Sequence, residues 1–343
     1  MKQTEPLPLV SIIVVNYNLS AYLASAIDCA LAQTYPQLEV VVVDDGSTDS
    51  SRSIIERYQG RVKTVFKQNG GQSSAYNAGY EQSCGSIVFF LDGDDLLDSD
   101  AVAQVVPLFE PGVARVHFRL RIIDSQGRAL GGTIPHLLSD NRAARSLVKS
   151  GYLYASSPAS GNAFERGVLD LLMPIPVVPE DRGGGEFSLV YGAGLYGEIR
   201  AYGKVIASYR AHVPADDQGV VALVFGNAAR SGDEAARRAQ RAARFVASVY
   251  ERSGGKIQLP TPLVEFSQAK EQFGIKALSA TTYGGRIAAG LRGARAYFRA
   301  LWLVPNASIL YKSAATLWAI FVVVMPRSVS HRIGRYGANP ATR

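Results

Sequence analysis

Apolar runs separated by short polar turns recur along the first part of the chain. Some runs have the length and residue types of buried strands, and the segments between them place apolar residues at helical spacing. We predict strands over about residues 9–15, 38–43, 62–66 and 87–91, and helices over about 21–33, 50–59 and 73–83. This alternation with short links is typical of an α/β fold whose sheet is mostly parallel, with helices on both faces.

Polar residues follow each of these predicted strands. The segments at the strand ends are Asn16–Asn18, Asp44–Asp45, Gly70–Ser74 and Asp92–Asp95. In an open parallel sheet, ligands bind beyond the carboxyl ends of the strands. We therefore expect the four segments to converge on one rim and to form the binding site.

The segment after the fourth strand is the most acidic of the four. Asp92, Asp94 and Asp95 follow a strongly apolar run that should be buried in the sheet. Crowded carboxylates resist ionisation unless a cation or hydrogen-bond donors offset their charge. Hard oxygen ligands favour Mg²⁺ or Mn²⁺, so the segment predicts a divalent metal site. The alternative is an acidic turn in which Asp95 caps the next helix.

Two acidic strand ends, a Gly-rich turn and a metal cluster on one rim indicate a site for a nucleoside diphosphate. A dinucleotide-binding dehydrogenase or a P-loop enzyme would need its Gly-rich motif after the first strand, where Asn16–Asn18 stands instead. A phosphatase with an Asp-x-Asp motif at Asp92 and Asp94 is disfavoured, because that motif would be expected after the first strand. Such an enzyme would also give no function to Asp44 and Asp45.

Four segments in register carry a family resemblance. They are Val10–Asn18, Val43–Asp49, Asn69–Gly79 and Phe90–Asp95. Together they resemble the inverting glycosyltransferases of family 2, which have the GT-A fold. The match is strong over about residues 9–100 and looser to about 212.

The resemblance implies a role for each motif. Asp45 would hydrogen-bond the nucleobase, with Val15 and Tyr17 beside it. Asp92 would face the ribose and diphosphate, and Asp94 would ligate the metal. The remaining expected donor-binding residues are Lys67, Gly71, Asn77 and Arg210.

The sequence departs from the family pattern at one position. Many relatives have an Arg immediately before the Asn that corresponds to Asn77, whereas this chain has Tyr76. A phosphate contact by that Arg would have to come from another residue, and Lys67 or Arg210 are the candidates.

An inverting transfer also needs a general base on the acceptor side. Candidates are Glu180, Asp181 and Glu186, which flank three consecutive glycines. By resemblance, the family's base lies three residues before a Leu at the start of a helix, and Glu186 with Leu189 has that spacing. We therefore expect Glu186 to be the base and Asp181 to be the second choice; a capping carboxylate is the alternative for each.

The segment Ser208–His212 resembles the Tyr-Arg-x-His end of the family's catalytic domain. There the His can approach the metal or the diphosphate, so His212 is expected as a further metal ligand. A packed or solvated histidine is the alternative interpretation.

Charge divides the chain into two parts. Residues 1–225 have a net charge of −6 and residues 226–343 a net charge of +13, for a total of +7. We predict a GT-A domain over 1–225, with a donor half at about 9–100 and an acceptor half at about 101–225, followed by a basic helical region over 226–343. Within that region we expect helices at 286–303 and 313–325, and a capping box at Ser231–Glu234.

The basic region suggests an anionic partner. Residues 286–327 combine arginines at helical spacing with aromatic residues and an apolar run that is short for a membrane span, which fits a helix lying on an anionic membrane. Burial of the run within the protein fits equally well. No nucleic-acid motif is present. The polar N-terminus has no signal-peptide pattern, so we expect a cytoplasmic protein that is peripheral on the inner face of the cell membrane.

These expectations combine into one hypothesis. The chain would be a metal-dependent inverting glycosyltransferase of the hexosyltransferase type, moving a sugar from a nucleotide-sugar, taken as a UDP-sugar, to a saccharide or lipid-linked acceptor in polysaccharide synthesis. The alternative is a non-catalytic nucleotide-sugar-binding or assembly protein on the same fold.

Overall fold

The structure is a computed structural model that describes residues 6–212, 232–304, 308–326 and 329, without the side chains of 232–235, 267, 268, 271 and 275. Its strands are Val10–Asn16 (β1), Leu38–Asp44 (β2), Lys63–Phe66 (β3), Ile87–Asp92 (β4), Leu96–Leu97 (β5), Val113–Ile123 (β6), Ala129–Ile134 (β7), Asn162–Glu165 (β8) and Glu198–Arg210 (β9). Its helices are Ser20–Leu31 (α1), Ser51–Glu56 (α2), Gln72–Gln82 (α3), Ala101–Val105 (α4), Asn141–Ser150 (α5), Arg166–Leu172 (α6), Glu186–Tyr196 (α7), Gly232–Arg252 (α8), Phe266–Ser279 (α9), Tyr283–Leu303 (α10) and Ile309–Val324 (α11).

The strands form one sheet in the order β3-β2-β1-β4-β8-β6-β9-β5, with β7 beside β6. The first four strands along the chain pair in parallel, as the pattern predicts. From β8 onwards the sheet is mixed, because β8 runs antiparallel to both β4 and β6. In the register, Asn16 pairs with Asp44 and Val15 with Asp92, so the polar strand ends lie side by side.

Asp49 links the starts of the first two helices. Helix α1 begins at Ser20, whose N–H donates to Asp49 Oδ2 at 2.9 Å, and Asp49 Oδ1 accepts from Ser51 N at 2.9 Å. Burial acts to raise the pKa of Asp49, but hydrogen bonds from Ser51 and Ser20 lower it to about 2. One carboxylate therefore stabilises the starts of both α1 and α2.

The chain divides into two compact units. Within the described residues, the first comprises 6–144, 155–210 and 251–255, and the second comprises 145–154, 211–212, 232–250 and 256–329 apart from the gaps given above. The expected boundary at residues 225 and 226 lies outside the described residues, as does Ser231 of the expected capping box. No helix in the described part of the chain is both long enough and apolar enough to cross a membrane.

The second unit is helical and has its own core. The two helices predicted near its end are confirmed as α10 and α11, and both begin earlier than expected because Thr282 and Ser308 cap them. Thr282 Oγ1 accepts from Gly285 N and Ser308 Oγ from Tyr311 N. The core residues are Tyr152, Phe266, Phe273, Tyr297, Ala300, Leu301 and Ala319.

Candidate active site

The carboxylate of Asp45 lies just beyond the end of β2 and is buried. Its Oδ1 accepts from Lys67 Nζ at 2.5 Å and from Gly70 N at 3.0 Å, and its Oδ2 accepts from Gly71 N at 2.7 Å. The Gly-rich turn therefore wraps around Asp45, and its amides are used there rather than pointing to an expected phosphate. Lys67 offsets the charge of the same carboxylate.

The turn after β1 is tied to the turn after β2. Asn18 has a left-handed φ of 55°, and its Oδ1 accepts from Thr48 N at 2.7 Å. Its backbone N–H donates to Ser47 Oγ at 2.9 Å. Tyr17 projects from this turn with about half of its surface exposed, while Val15 is buried in β1. An exposed ring on a fixed turn beside Asp45 is suited to contact a planar base.

The loop of three glycines packs directly on the Gly-rich turn. Gly71 has φ +83°, and a Cβ there would meet the backbone of Arg182 at 2.7 Å. Gln72 N donates to Arg182 O at 2.8 Å, and Gly185 N donates to Gln72 Oε1 at 2.8 Å. The loop that leads to Glu186 is thereby fixed against the start of α3.

Asp92 and Asp94 are half-buried at the end of β4, and Asp95 is fully buried. Asp92 N donates to Ser160 Oγ at 3.1 Å, and Asp95 Oδ1 accepts from Arg210 N at 2.9 Å. The second oxygen of Asp95 is also buried and has no hydrogen-bond partner among the described residues. Asp95 therefore supports the acidic turn. It does not cap the next helix, as the alternative interpretation held, because α4 begins at Ala101 and has Asp100 at its N-cap.

The crowding expected for these carboxylates is present. Burial raises the pKa of Asp92, and the negative charges of Asp94 and Glu186 raise it further. Burial likewise raises the pKa of Asp95, with Asp94 and Asp92 adding to the effect. Since each charge disfavours its neighbours, a cation at this turn would relieve a repulsion that the fold maintains.

Glu186 is the first residue of α7 and follows Gly185, the residue at the helix N-cap. Burial raises the pKa of Asp92 and of Tyr76, and the charge of Glu186 adds to both shifts. Gly185 N donates to Gln72, which lies beside Asp92, so the expected base follows a residue tied to the donor-side carboxylates. Asp181, the second choice, lies in the preceding loop, where its N–H donates to Val178 O at 3.0 Å. The roles of both residues remain predictions.

Two expected donor ligands are used elsewhere in the fold. Asn77 exchanges two hydrogen bonds with the backbone of Ile175, at 2.8 and 2.7 Å, so both ends of its amide are engaged. Its position in α3, with the side chain pointing at the segment before the glycine loop, makes it an anchor for that segment.

Arg210 is buried, and its guanidinium donates to carbonyl oxygens rather than facing open space. Nε bonds Asp94 O at 2.8 Å and Nη1 bonds Asp124 O at 2.8 Å, while the group lies 4.5 Å from the ring centroid of Tyr22. Through these bonds Arg210 supports the acidic turn, and its expected contact with a phosphate remains a prediction. His212 is exposed and belongs to the second unit, and its metal role remains a prediction.

Sequence reasoning assigned no role in the site to Gln72, Ser160 or Tyr76. Tyr76 is fully buried, and its hydroxyl lies 3.5 Å from Asp92 Oδ1. Gln72 Nε2 donates to Tyr76 Oη at 3.1 Å and lies 3.5 Å from the same Asp92 oxygen. Tyr76 thus occupies the position of the usual Arg with a neutral donor aimed at Asp92. The Gly-rich motif marked Gln72, but only the fold shows what it contacts.

The donor set suits a cation that shares its ligands with a substrate. Among the described residues, no group of three Asp, Glu, His or Cys side chains is arranged to hold a metal ion. Mg²⁺ is usually held by one or two carboxylates together with substrate phosphates and water. Asp94 and Asp92, crowded and half-buried at a strand end, fit that mode.

The fold is GT-A, a mixed α/β sheet followed by a helical region. The solved structure of S. aureus TarS in complex with UDP-GlcNAc superposes with a TM-score of 0.53 at 16% identity, covering 96% of this chain and 90% of that one. At this identity the likeness concerns the fold alone.

Sequence comparisons relate part of the chain to one family. Residues 11–146 match the sequence model of glycosyl transferase family 2. An uncharacterized glycosyltransferase of Nostoc sp. is 35% identical over 210 residues, which are 59% of this chain and 65% of that protein. The chondroitin synthase of Pasteurella multocida is 42% identical over 99 residues, 28% of this chain and 10% of that enzyme. The chain thus spans less than two thirds of either relative, and residues 11–146 carry its likeness to glycosyl transferase family 2.

Proposed function

We propose that the chain is a nucleotide-sugar glycosyltransferase that works by inversion and requires a divalent cation. The observation that carries the proposal is the link from Glu186 to the acidic turn: Gly185, the residue before Glu186, donates to Gln72, which lies beside Asp92. Burial raises the pKa of Asp92, and the charges of Asp94 and Glu186 raise it further. An inverting transfer needs a general base within reach of the acceptor hydroxyl, and Glu186 would supply it beside the donor-side carboxylates. The match of residues 11–146 to glycosyl transferase family 2 and the GT-A fold support the same conclusion.

The donor would lie across the ends of β1, β2 and β4. The exposed ring of Tyr17 is suited to flank the base above the buried Asp45. Asp94, with Asp92, would hold Mg²⁺ or Mn²⁺, which when bound would offset the charge of the nucleoside diphosphate as it leaves. We take the nucleotide to be UDP, in keeping with the uridine ligands named for the TarS structures.

Glu186 would act from the acceptor side. Its carboxylate accepts the proton of the acceptor hydroxyl while the hydroxyl oxygen bonds to the anomeric carbon and the bond from that carbon to the phosphate oxygen breaks. An α-linked donor then gives a β-linked product. The acceptor class that we propose is a saccharide, lipid-linked or free, and the inner face of the cell membrane is where a lipid-linked acceptor would be met.

Calorimetric titration with UDP, with and without Mn²⁺, tests the donor site. We expect binding that needs the cation and is lost in Asp94→Asn. The matched control is Asp100→Asn, an exposed aspartate at the N-cap of α4, which should bind as the wild type does. Binding of GDP instead of UDP would indicate that the donor is a GDP-sugar. Absence of nucleotide binding would contradict the proposal, and binding without transfer in the wild type would favour the non-catalytic alternative.

Glu186→Gln tests the acceptor side separately. The variant should bind UDP as tightly as the wild type and should lose sugar transfer, because an amide cannot take the proton. If sugar transfer survives in Glu186→Gln but is lost in Asp181→Asn, the general base is Asp181 in the loop before α7.

A further inference from the structure

The outer face of α11 is uncharged and mostly apolar. Ser313 and Ala314 are exposed near its middle, and six large apolar residues are exposed at helical spacing: Ile309, Leu310, Leu317, Ile320, Phe321 and Val324. Ile309 and Leu310 are 83% and 82% exposed, and Leu317 is 53% exposed. We call these six residues the outer stripe. A contiguous exposed apolar surface of this kind marks an interaction site.

The opposite face of α11 already forms the core of the second unit. Ala319 and Val322 are buried, and the ring of Trp318 stacks on Tyr297 at a centroid distance of 6.1 Å. Tyr297 Oη also donates to Ala315 O at 2.7 Å. The rotation of α11 is therefore set by its own core, and the helix is apolar on the outside as well, where a surface helix is normally polar.

Close packing holds α11 against α10 as an antiparallel hairpin. A Cβ on Gly290 would meet Val323 Cγ2 at 2.6 Å, and Arg286 Nη1 donates to Met325 O at 2.8 Å. At the other end of the hairpin, Trp302 is 69% exposed and Lys312 Nζ lies 4.8 Å from its ring centroid. An exposed indole and an ammonium group thus accompany the most exposed end of the outer stripe.

The charge of this region has one sign. Residues 272–343 contain ten Lys and Arg and no Asp or Glu. On α10, the helix next to the outer stripe, Arg292, Arg295 and Arg299 are exposed at helical spacing. The occupant of the surface should therefore offer apolar groups together with negative charge.

We propose that the outer stripe and the arginines of α10 dock on the surface of an anionic lipid bilayer, with α11 lying in the plane of the interface. The stripe would enter the acyl boundary, Trp302 would lie at headgroup depth, and the arginines would meet lipid phosphates. A second copy of the chain fits less well, because it would bring ten further cations against these ten. The same objection applies to residues 330–343, which are basic and have no carboxylate.

Co-sedimentation of the full chain with lipid vesicles tests the proposal. We expect the protein to pellet with vesicles of phosphatidylcholine and phosphatidylglycerol, and to stay in solution with phosphatidylcholine alone. Leu317→Glu should weaken vesicle binding by about tenfold or more, because a charge replaces a Leu side chain that would be buried in the bilayer. The matched control is Val177→Glu, an exposed apolar residue of the first unit, which should bind as the wild type does.

Fluorescence gives a second readout that does not depend on a charge change. The chain has two tryptophans, and Trp318 is packed in the core. Vesicles should shift the emission of Trp302 to the blue, and Trp302→Phe should abolish the shift while the protein still sediments. UDP binding and thermal unfolding of each variant report whether the fold is intact, and neither should change.

Three results would overturn the proposal. One is sedimentation of Leu317→Glu equal to that of the wild type. Another is a wild-type protein that does not bind anionic vesicles but forms a dimer, and a Leu317→Glu variant that is monomeric. That result would make the outer stripe a contact between copies of the chain. The third is a protein ending at residue 329 that binds vesicles while the full chain does not, which would make the C-terminal residues the occupant.

Discussion

Gly185 N donates a hydrogen bond to Gln72 Oε1 at 2.8 Å. The same glutamine donates its backbone N–H to Arg182 O at 2.8 Å and lies beside Asp92 through Nε2. One residue at the start of α3 therefore joins the donor-side carboxylate to the loop that carries Glu186. If Glu186 is the base, its position depends on the Gly-rich turn of the donor half.

Gln72→Ala should loosen that connection. Removing the acceptor of a buried amide costs about 1–3 kcal/mol locally, so we expect faster hydrogen exchange of the loop and turnover reduced roughly tenfold, with UDP affinity changed less. Gln37→Ala is the control, since Gln37 is exposed beside the opposite end of β2. Unchanged exchange at Gly185 together with unchanged turnover would show that the bond does not position the base.

Gly71→Ala should be more harmful than an ordinary glycine substitution. Its φ of +83° strains any L side chain, and the new Cβ would overlap the backbone of Arg182. Gly60→Ala is the matched control, because Gly60 has φ +80° and nothing within 4 Å of a Cβ. We expect Gly60→Ala to lower the free energy of unfolding by about 1 kcal/mol and Gly71→Ala by about 2–3 kcal/mol, measured by urea denaturation. Equal losses would mean that the loop moves aside freely.

Arg210→Gln should lower stability instead of removing a phosphate contact. The guanidinium holds the carbonyl oxygens of Asp94 and Asp124, and hydrogen bonds to charged groups contribute about 1.5–3 kcal/mol each. The unfolding temperature of Arg210→Gln should therefore be clearly lower than that of the wild type. Arg200→Gln, which breaks the exposed pair with Glu110, should change the unfolding temperature little. Comparing UDP with uridine separates the roles: a selective loss of UDP binding at unchanged stability would restore Arg210 as a phosphate ligand.

Glu39→Gln should reveal a pH-dependent contribution at the other end of the sheet. Burial acts to raise the pKa of Glu39, but hydrogen bonds from Lys63 Nζ, Ser11 Oγ and Cys84 N outweigh it, and the pKa is lowered. Because the folded pKa lies below the unfolded one, the carboxylate stabilises the fold above the ordinary range of Glu, and this stabilisation is lost as the pH falls through the folded pKa.

Urea denaturation at neutral and at acid pH measures this contribution. The wild type should be more stable than Glu39→Gln at neutral pH, and the two should converge in acid. Glu56→Gln removes an exposed pair with Arg52 and should differ little from the wild type at either pH. A difference for Glu39→Gln that persists unchanged in acid would assign its effect to shape rather than charge.

The sequence by itself determined the parallel half of the sheet and the rim of the site. Apolar runs and helical spacing are local patterns, and parallel strands bring their carboxyl ends to one edge, so Asp45, Asp92 and Asp94 could be placed together from their order alone. The four motifs in register likewise indicated the family that residues 11–146 match.

The contacts of the remaining polar residues could be determined only from the tertiary structure. Asn77 bonds Ile175, which lies 98 positions away, and Arg210 bonds Asp94, which lies 116 away. Such long-range partners cannot be predicted from the spacing of residues along the chain. An Asn or Arg is the same residue in the sequence whether its side chain binds a substrate or a distant backbone carbonyl. The same holds for α11, whose apolar pattern on both faces is explained by a core on one side, while the unpartnered outer stripe is visible only once that core is in place.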